Sequence, residues 1–275
     1  MTSPKTVFIT GASSGLGKAA AKLFHEHGWK VVATMRKPER EEELTAQNGY
    51  VLLKLDVSDP QDIARAAKEA LDAVGHIDVV LNNAGYGLAG PLEGTEDENL
   101  VRQIDTNLLG PMRIVRAFLP HMRQRATGTI INVTSIGGLV TLPFTSVYHG
   151  TKWGLEGWSE SMWYELKAQG IGIKTVSPGG IATDFAGRSL DYVQHPDYER
   201  HIQEVWRVVG ARQQQYSTPR QIAAVLSEAA PDGPAQLRYV AGQDAKQFYA
   251  QRQEQGDQGY IEANYDLYFG QLPQE

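Results

Sequence analysis

The chain is expected to be an α/β protein, a doubly wound parallel sheet of about seven strands with helices on both faces. Three observations carry this expectation. Short apolar runs alternate with amphipathic stretches along nearly all of the 275 residues, the pattern of repeated βαβ units. A glycine-rich loop follows the first apolar run directly, where a doubly wound sheet turns from strand into helix. No internal repeat, low-complexity block or linker-like stretch interrupts the sequence, so residues 1–275 read as a single domain.

In order, Lys5–Thr10 reads as the first strand, and Gly15–His27 as a helix with Ala19, Leu23 and Phe24 on one face. Gly28 then supplies the positive φ that often ends a helix. Further strands are expected at Lys30–Met35, Val51–Lys54, Val79–Asn82, Thr129–Thr134, Gly172–Ser177 and Leu237–Val240. Between the third and fourth, Ser58 or Asp59 can cap a helix starting at Pro60, where the missing N–H costs nothing. Two long helical stretches follow, Asp97–Gln124 and Ser146–Gln169, the first containing Gly110-Pro111 and therefore expected to kink or restart there. The segment Ala186–Gln215, without a clean period, and the Gln-rich tail after Ala241 have the weakest claim to order.

Composition excludes several classes. Net charge is −6 and the sequence pI about 5.7, which is not the electrostatic footprint of a nucleic-acid binder. With no cysteine, disulfides, iron–sulfur clusters and thiolate zinc sites are excluded. His25 and His27 are too close in sequence to share a helix face, and no metal-ligand constellation stands out. No apolar run approaches the length of a membrane span and the N-terminus lacks signal-peptide organisation, so no membrane partner and a cytoplasmic location are expected.

Thr10–Gly17, TGASSGLG, is the first chemical signal. Gly11, Gly15 and Gly17, with Ser13, Ser14 and Leu16 between them, suit a tight turn, close approach of backbone to a pyrophosphate, and close packing of helix on strand. Free N–H groups at the helix start favour the anion's charge. The second signal is Tyr148 and Lys152, four residues apart and so on one side of a helix. A free phenol, with a pKa of about 10, is a poor acid–base group at neutral pH; a neighbouring ammonium is expected to pull it down. Ser135, thirteen residues before the tyrosine, can hold a substrate oxygen so that two donors face a developing alkoxide. His149 falls about 100° round the helix from Tyr148 and reads as non-catalytic.

Taken in order, TGASSGLG, Asn82-Asn83-Ala84-Gly85, Ser135 and Tyr-x-x-x-Lys resemble the short-chain dehydrogenase/reductase family, whose pattern is T-G-x-x-x-G-x-G, N-N-A-G, S, then Y-x-x-x-K. The resemblance extends from about Lys5 to Val240. The run YHGTKWGLEGWSESMWYEL, with ATMRKP and PGGIATDF, is most similar to its hydroxysteroid and retinol dehydrogenase-like branch. It implies a Rossmann-like fold and an oxidoreductase that moves a hydride between a nicotinamide cofactor and a carbonyl or alcohol. Ser135, Tyr148 and Lys152 would be its catalytic set, with Lys152 also on the nicotinamide ribose. Asn107, in IDTNLLG, resembles a fourth member that holds a proton-relaying water, or it is a satisfied helix-kink residue. Asp56, with Val57 beside it, resembles the acid that meets the adenine amino group, or it is a turn carboxylate. Asn83, Ala84 and Gly85 either meet the cofactor through backbone or stabilise the central sheet. Pro178, Gly179, Ile181 and Thr183 match the segment that orients the nicotinamide carboxamide. The stretch 185–215 would be a substrate lid, residues 241–275 a C-terminal extension, and the two long helices the contact of a homodimer or homotetramer.

Cofactor choice turns on the end of the second strand. NAD-preferring relatives carry an acid there for the adenosine ribose; this chain has Met35, then Arg36. A guanidinium matches a 2′-phosphate in charge and donor geometry, so NADP(H) is preferred and NAD(H) possible. Leu142, Phe144 and Phe185, with Ser135 and Tyr148, are the expected substrate contacts, favouring an apolar small-molecule carbonyl or alcohol. Two other readings stay open: an NAD-dependent alcohol dehydrogenase working oxidatively, and a nucleotide-sensing regulator on the same fold.

Overall fold

The computed structural model describes residues 4–183, 189–211, 213–231 and 233–271. Seven parallel strands form the main sheet: β1 (Thr6–Ile9), β2 (Lys30–Met35), β3 (Tyr50–Lys54), β4 (Val79–Asn82), β6 (Gly128–Val133), β7 (Ile171–Pro178) and β9 (Arg238–Ala241). Their order is β3-β2-β1-β4-β6-β7-β9. Side chains alternate across each strand. Val7, Ile9, Val31, Ala33, Val79, Leu81 and Ile131 meet α1 (Gly15–Glu26) and α7 (Pro219–Ala229) on one face. Phe8, Val32, Val80, Ile130 and Ile173 meet α2 (Pro60–Val74), α4 (Gly110–Arg125) and α5 (Ser146–Lys167) on the other. The sheet is thus doubly wound, as expected, and its order reverses between β1 and β4, where ligand crevices form at strand carboxyl ends.

Local chemistry sets the boundaries. Gly28 ends α1 at φ 80°. Of the two candidate caps, Asp59 is the one used: its carboxylate accepts from the Gln61 and Asp62 N–H groups, while Ser58 bonds Asp56 instead. The expected interruption near Gly110-Pro111 is a π-helical turn, Asp105–Leu109, between α3 (Asp97–Ile104) and α4. Pro111 has no N–H to give the carbonyl four residues back, so the helical ladder widens there.

Both segments with the weakest claim to order contain regular elements among the described residues. Within 186–215 lie β8 (Leu190–Tyr192), paired in parallel with β5 (Gly87–Ala89), and α6 (Glu199–Gly210). α6 buries Val205 and Val208 at helical spacing. The tail after Ala241 is α8 (Gln243–Phe269), broken at Gly256 (φ 70°, ψ 171°) and burying Ala245, Tyr260 and Tyr268. Its Arg252 guanidinium lies over the rings of Trp153 (5.1 Å) and Tyr260 (5.8 Å), docking the helix on α5. No described helix is long and apolar enough to cross a membrane.

Candidate active site

The glycine loop is held by its neighbours before any ligand is considered. Gly11 (φ 68°) and Gly15 (φ 54°) occupy left-handed backbone. A Cβ at Gly11 would lie 2.8 Å from the Ala84 Cα, and one at Gly17 would overlap the Gly11 carbonyl oxygen. Thr10 is buried, and its hydroxyl accepts from the N–H groups of Asn83 and Ala84, each at 3.0 Å. In return, the Asn83 side-chain amide donates to the carbonyls of Thr10 (2.9 Å) and Gly11 (3.1 Å). The Asn82–Gly85 turn therefore clasps the loop. Asn82 itself is buried and bonds Asn132 at 2.8 Å, a sheet-stabilising contact. Thr10 as the other half of the clasp was not singled out from sequence, although its place before Gly11 was the available signal.

The start of α1 fits a dinucleotide phosphate. Ser14 is the N-cap residue but makes no side-chain cap bond, and no carboxylate stands in the first turn. That leaves helix-start N–H groups for an anion. Ser13 is exposed, whereas Leu16 is buried in the core, so Leu16 has only backbone to offer. Val57 is likewise buried, and its carbonyl oxygen would lie 3.0 Å from a Cβ at Gly110. Arg36 is exposed just past β2, while Met35 is buried under the sheet end. Asp56 accepts from Ser58 N–H (3.0 Å) and Ser58 Oγ (2.6 Å), so one of its oxygens belongs to a turn.

On the far side of the loop, Thr183 Cγ2 comes within 3.6 Å of where a Gly15 Cβ would stand. The turn after Pro178 is anchored twice: Gly179 N–H donates to the Ala241 carbonyl (3.0 Å), and Gly180 N–H to Asp244 Oδ2 (2.7 Å). A Cβ at Gly179 would collide with the Asp244 carboxylate. Ile181 pairs with Ser217 as an isolated parallel bridge. Asp244 was missed in the sequence because it sits in the polar tail.

Between these walls Ser135, Tyr148 and Lys152 come together. Ser135 follows β6 and accepts from Gly137 N–H at 3.0 Å; its hydroxyl is close enough to Tyr148 to favour the phenolate. Burial pushes the Tyr148 phenol above its ordinary value, with only the Ser135 hydroxyl opposing. The expected depression by the lysine is therefore reversed. Lys152 Nζ lies 5.8 Å from the Tyr148 ring centroid and donates to the Val133 carbonyl at 3.0 Å. Burial brings Lys152 down to about 8, with Glu156 pulling the other way.

Asn107 lies in the π turn, buried. Its amide donates to the Tyr86 carbonyl (2.7 Å) and its Oδ1 accepts from Tyr86 N–H (3.0 Å). Oδ1 would also stand 3.1 Å from a Cβ at Gly85, with Lys152 Nζ at 3.8 Å. The asparagine thus holds the strand-end backbone beside the lysine.

His149 links the loop after Ser135 to α5. Leu142 N–H donates to His149 Nε2 (2.9 Å), so the ring proton sits on Nδ1, which donates to the Gly137 carbonyl (2.6 Å). Burial lowers the His149 pKa, with the Gly137 bond opposing, as a neutral ring requires. Phe144 has φ 57°, uncommon for a non-glycine residue, and its carbonyl accepts from Gly90 N–H at 2.7 Å. Its ring meets Tyr198 (6.0 Å) and Phe269 (6.4 Å) edge-on. Leu142, Phe144, Val205, Val208, Tyr268 and Phe269 form one apolar cluster. Phe185, the remaining expected substrate contact, lies outside the described residues. Among the described residues no group of three or more His, Asp or Glu is placed to hold a metal ion.

Residues 5–192 match the short chain dehydrogenase family, and the chain belongs to it. It is an oxidoreductase of the kind that acts on CH–OH groups. Retinol dehydrogenase 8 of Homo sapiens is 38% identical over 205 residues, covering 71% of this chain and 65% of the relative. A short-chain dehydrogenase from Streptomyces avermitilis superimposes with a TM-score of 0.85 at 30% identity, over 96% of both chains. An alcohol dehydrogenase from Thermococcus sibiricus, complexed with 5-hydroxy-NADP, superimposes with a TM-score of 0.70 at 26% identity, over 86% of this chain and 95% of that one.

Proposed function

We propose that this chain is a single-domain NADP(H)-preferring oxidoreductase that interconverts a ketone or aldehyde with its alcohol, on a fairly apolar small molecule. The observation that carries the reading is the convergence of Ser135 and Tyr148 with buried Lys152 beside them, set against a glycine loop whose helix start is open to a phosphate. When bound, the nicotinamide cofactor supplies or takes up the hydride. Gly11, Ser13, Ser14, Gly15, Leu16 and Gly17 would hold its phosphates and Arg36 a 2′-phosphate. Asp56, Val57, Ala84 and Gly85 would flank the adenine side, and Pro178, Gly179, Ile181 and Thr183 the nicotinamide side.

Ser135 and Tyr148 would donate two hydrogen bonds to the substrate oxygen. As negative charge develops there, Tyr148 transfers its proton to it. A phenol raised by burial stays protonated at neutral pH, which suits a proton donor in the reductive direction. The Lys152 ammonium stabilises the phenolate left behind and the nicotinamide ribose. Since Lys152 is brought to about 8, reduction should run at full rate below that value and fall as pH rises through it. A rate of reduction flat from pH 7 to 10 would contradict this role.

An apolar substrate is supported by Leu142 and Phe144 beside the valines of α6 and the aromatic side chains of α8, and the relative named for retinol acts in the same chemical class. Exposed Val101 and Ile104 on α3 and Tyr164 on α5 support self-association as a homodimer or homotetramer through these helices; light scattering at the 30.3 kDa of one chain at micromolar concentration would count against it. The direct test of function is a panel of apolar ketones, aldehydes and secondary alcohols followed by nucleotide absorbance, with NADPH and NADH separately. Turnover with NADPH is the expected result; nucleotide binding with no turnover on any member would favour a regulatory role.

A further inference from the structure

One helical turn beyond Lys152, α5 buries a carboxylate. Glu156 is 3% exposed and accepts four hydrogen bonds. Its Oε1 takes Thr134 Oγ1 (2.6 Å) and Ser177 Oγ (2.7 Å); its Oε2 takes Thr175 Oγ1 (2.9 Å) and Arg238 Nε (3.0 Å). These partners come from three neighbouring strands. Thr134 immediately precedes Ser135, Ser177 precedes the Pro178 turn, and Arg238 opens the edge strand β9.

Hydroxyl donors alone would be served by a neutral amide acceptor. A carboxylate instead brings a full charge into low dielectric, an effective penalty of several kcal/mol per ion before pairing. What a charge does here that an amide does not is act on the other buried ion, Lys152, on the same face of α5. Arg238 moderates it from the opposite side, being shared between Glu156 and the more exposed Glu160 (3.3 Å). The result is an alternation of Lys152, Glu156 and Arg238 running from the active site to the sheet edge.

We infer that Glu156 and Arg238 form an electrostatic positioning pair that sets the protonation of Lys152 during proton transfer, Glu156 favouring the ammonium and Arg238 opposing it, rather than a structural tie alone. The inference rests on the role given to Lys152 above. The groups that face this lysine and its partner are few. On α5 they are Tyr148, Glu156 and Glu160; on β9, Arg238, which also interacts with Tyr249 of α8. β6 offers the Val133 carbonyl and Thr134 hydroxyl, β7 the Thr175 and Ser177 hydroxyls, and the π turn the Asn107 amide. Burial lowers Lys152 and Glu156 is the group that raises it, so removing either member of the pair moves the lysine in a defined direction.

The experiment is the pH dependence of reduction with NADPH, read at its alkaline limb, for Glu156→Gln and Arg238→Gln. Glu156→Gln removes the attraction and leaves Arg238, so the limb should move down by about one pH unit, the lower end of what a neighbouring opposite charge does. Arg238→Gln leaves Glu156 with its three hydroxyl donors and no guanidinium, so the limb should move up. Opposite displacements support the pair. A structural tie would lower the melting temperature of both variants and leave both limbs in place, and displacement of both in one direction, or of neither, overturns the inference. If Glu156→Gln does not fold, Arg238→Gln decides alone: an upward shift supports the pair, and no shift or a downward one overturns it. Lys152→Ala separates the two levels. Turnover within tenfold of the parent would remove the role of Lys152 itself, whereas a dead Lys152→Ala with immobile limbs would remove only the part given to Glu156 and Arg238.

Discussion

The two walls that meet at Tyr148 are built in opposite ways. On the nucleotide side, Thr10, Gly11, Gly17 and Asn83 fix one another mainly through backbone atoms of adjacent strand-to-helix turns. On the proposed substrate side, Phe144 is met by Tyr198, just before α6, and by Phe269 at the end of α8, side chains from distant parts of the chain. The first wall depends on glycine conformation and hydrogen bonds, which tolerate little change; the second depends on apolar packing, which tolerates volume-conserving exchange. Cofactor recognition should therefore be set locally, and substrate choice by the docking of remote helices.

Substitutions on each wall can break or sharpen that contrast. Tyr148→Phe, at the junction, should cost turnover on the order of 10²- to 10⁴-fold, the usual value of general acid–base catalysis, with nucleotide binding unchanged. A variant within tenfold of the parent would show that the junction is misassigned. Arg36→Ala tests the nucleotide wall alone. One hydrogen bond to a charged group contributes about 1.5–3 kcal/mol, so NADPH affinity should fall about 10- to 100-fold while NADH titrates as before. Equal losses for both would mean that Arg36 shapes the loop without reading the phosphate.

On the substrate wall, His149→Phe strands the Leu142 N–H and the Gly137 carbonyl, each buried group costing about 1–3 kcal/mol. Thermal unfolding measures this directly. The pH dependence has a defined sign: the native pKa of His149 is lowered, so the unfolded chain takes up the proton first. Its contribution to stability is complete above about 6.5 and is lost as pH falls through the lower native value; His149→Phe should lack that acid-side component. The smallest effect is expected from Phe269→Ala. It should change the ratio of kcat/KM between bulky and compact apolar substrates by about tenfold, as small changes in an apolar pocket do, and leave both nucleotide affinities alone. A matching change in NADPH affinity would show that the walls are coupled.

The same contrast explains what could be read from the sequence. The seven sheet strands fall within one or two residues of their expected bounds, because an alternating apolar run and its turn residues are local signals. The glycine loop, Ser135, Tyr148 and Lys152 were legible for the same reason. α6 was not, although Ile202, Val205, Val208 and Val209 have helical spacing, because its polar and aromatic neighbours blur the pattern. The order of α8 was hidden further: its sequence is polar, and it is held by Arg252 against Trp153 and by Tyr268 in the α6 cluster, contacts that exist only in the folded chain. Thr10 and Asp244 hold turns through hydrogen bonds to backbone far away in sequence, which no spacing rule announces. The raised Tyr148 pKa also lay beyond the sequence, since it depends on how deeply the phenol is buried.

Arg238 has a consequence for biosynthesis. Ribosomes deliver a chain from its amino end, and domains tend to fold as units during or after that delivery. Through the emergence of α5 and the first six strands of the main sheet, Glu156 has no cation from β9 to receive it, and the Pro178 turn has no Asp244. A nascent chain stalled before residue 238 can carry the glycine loop, Ser135, Tyr148 and Lys152 and still lack the ion and the anchor behind them. Competence would then arrive late in translation, with the addition of the edge strand and the helix after it.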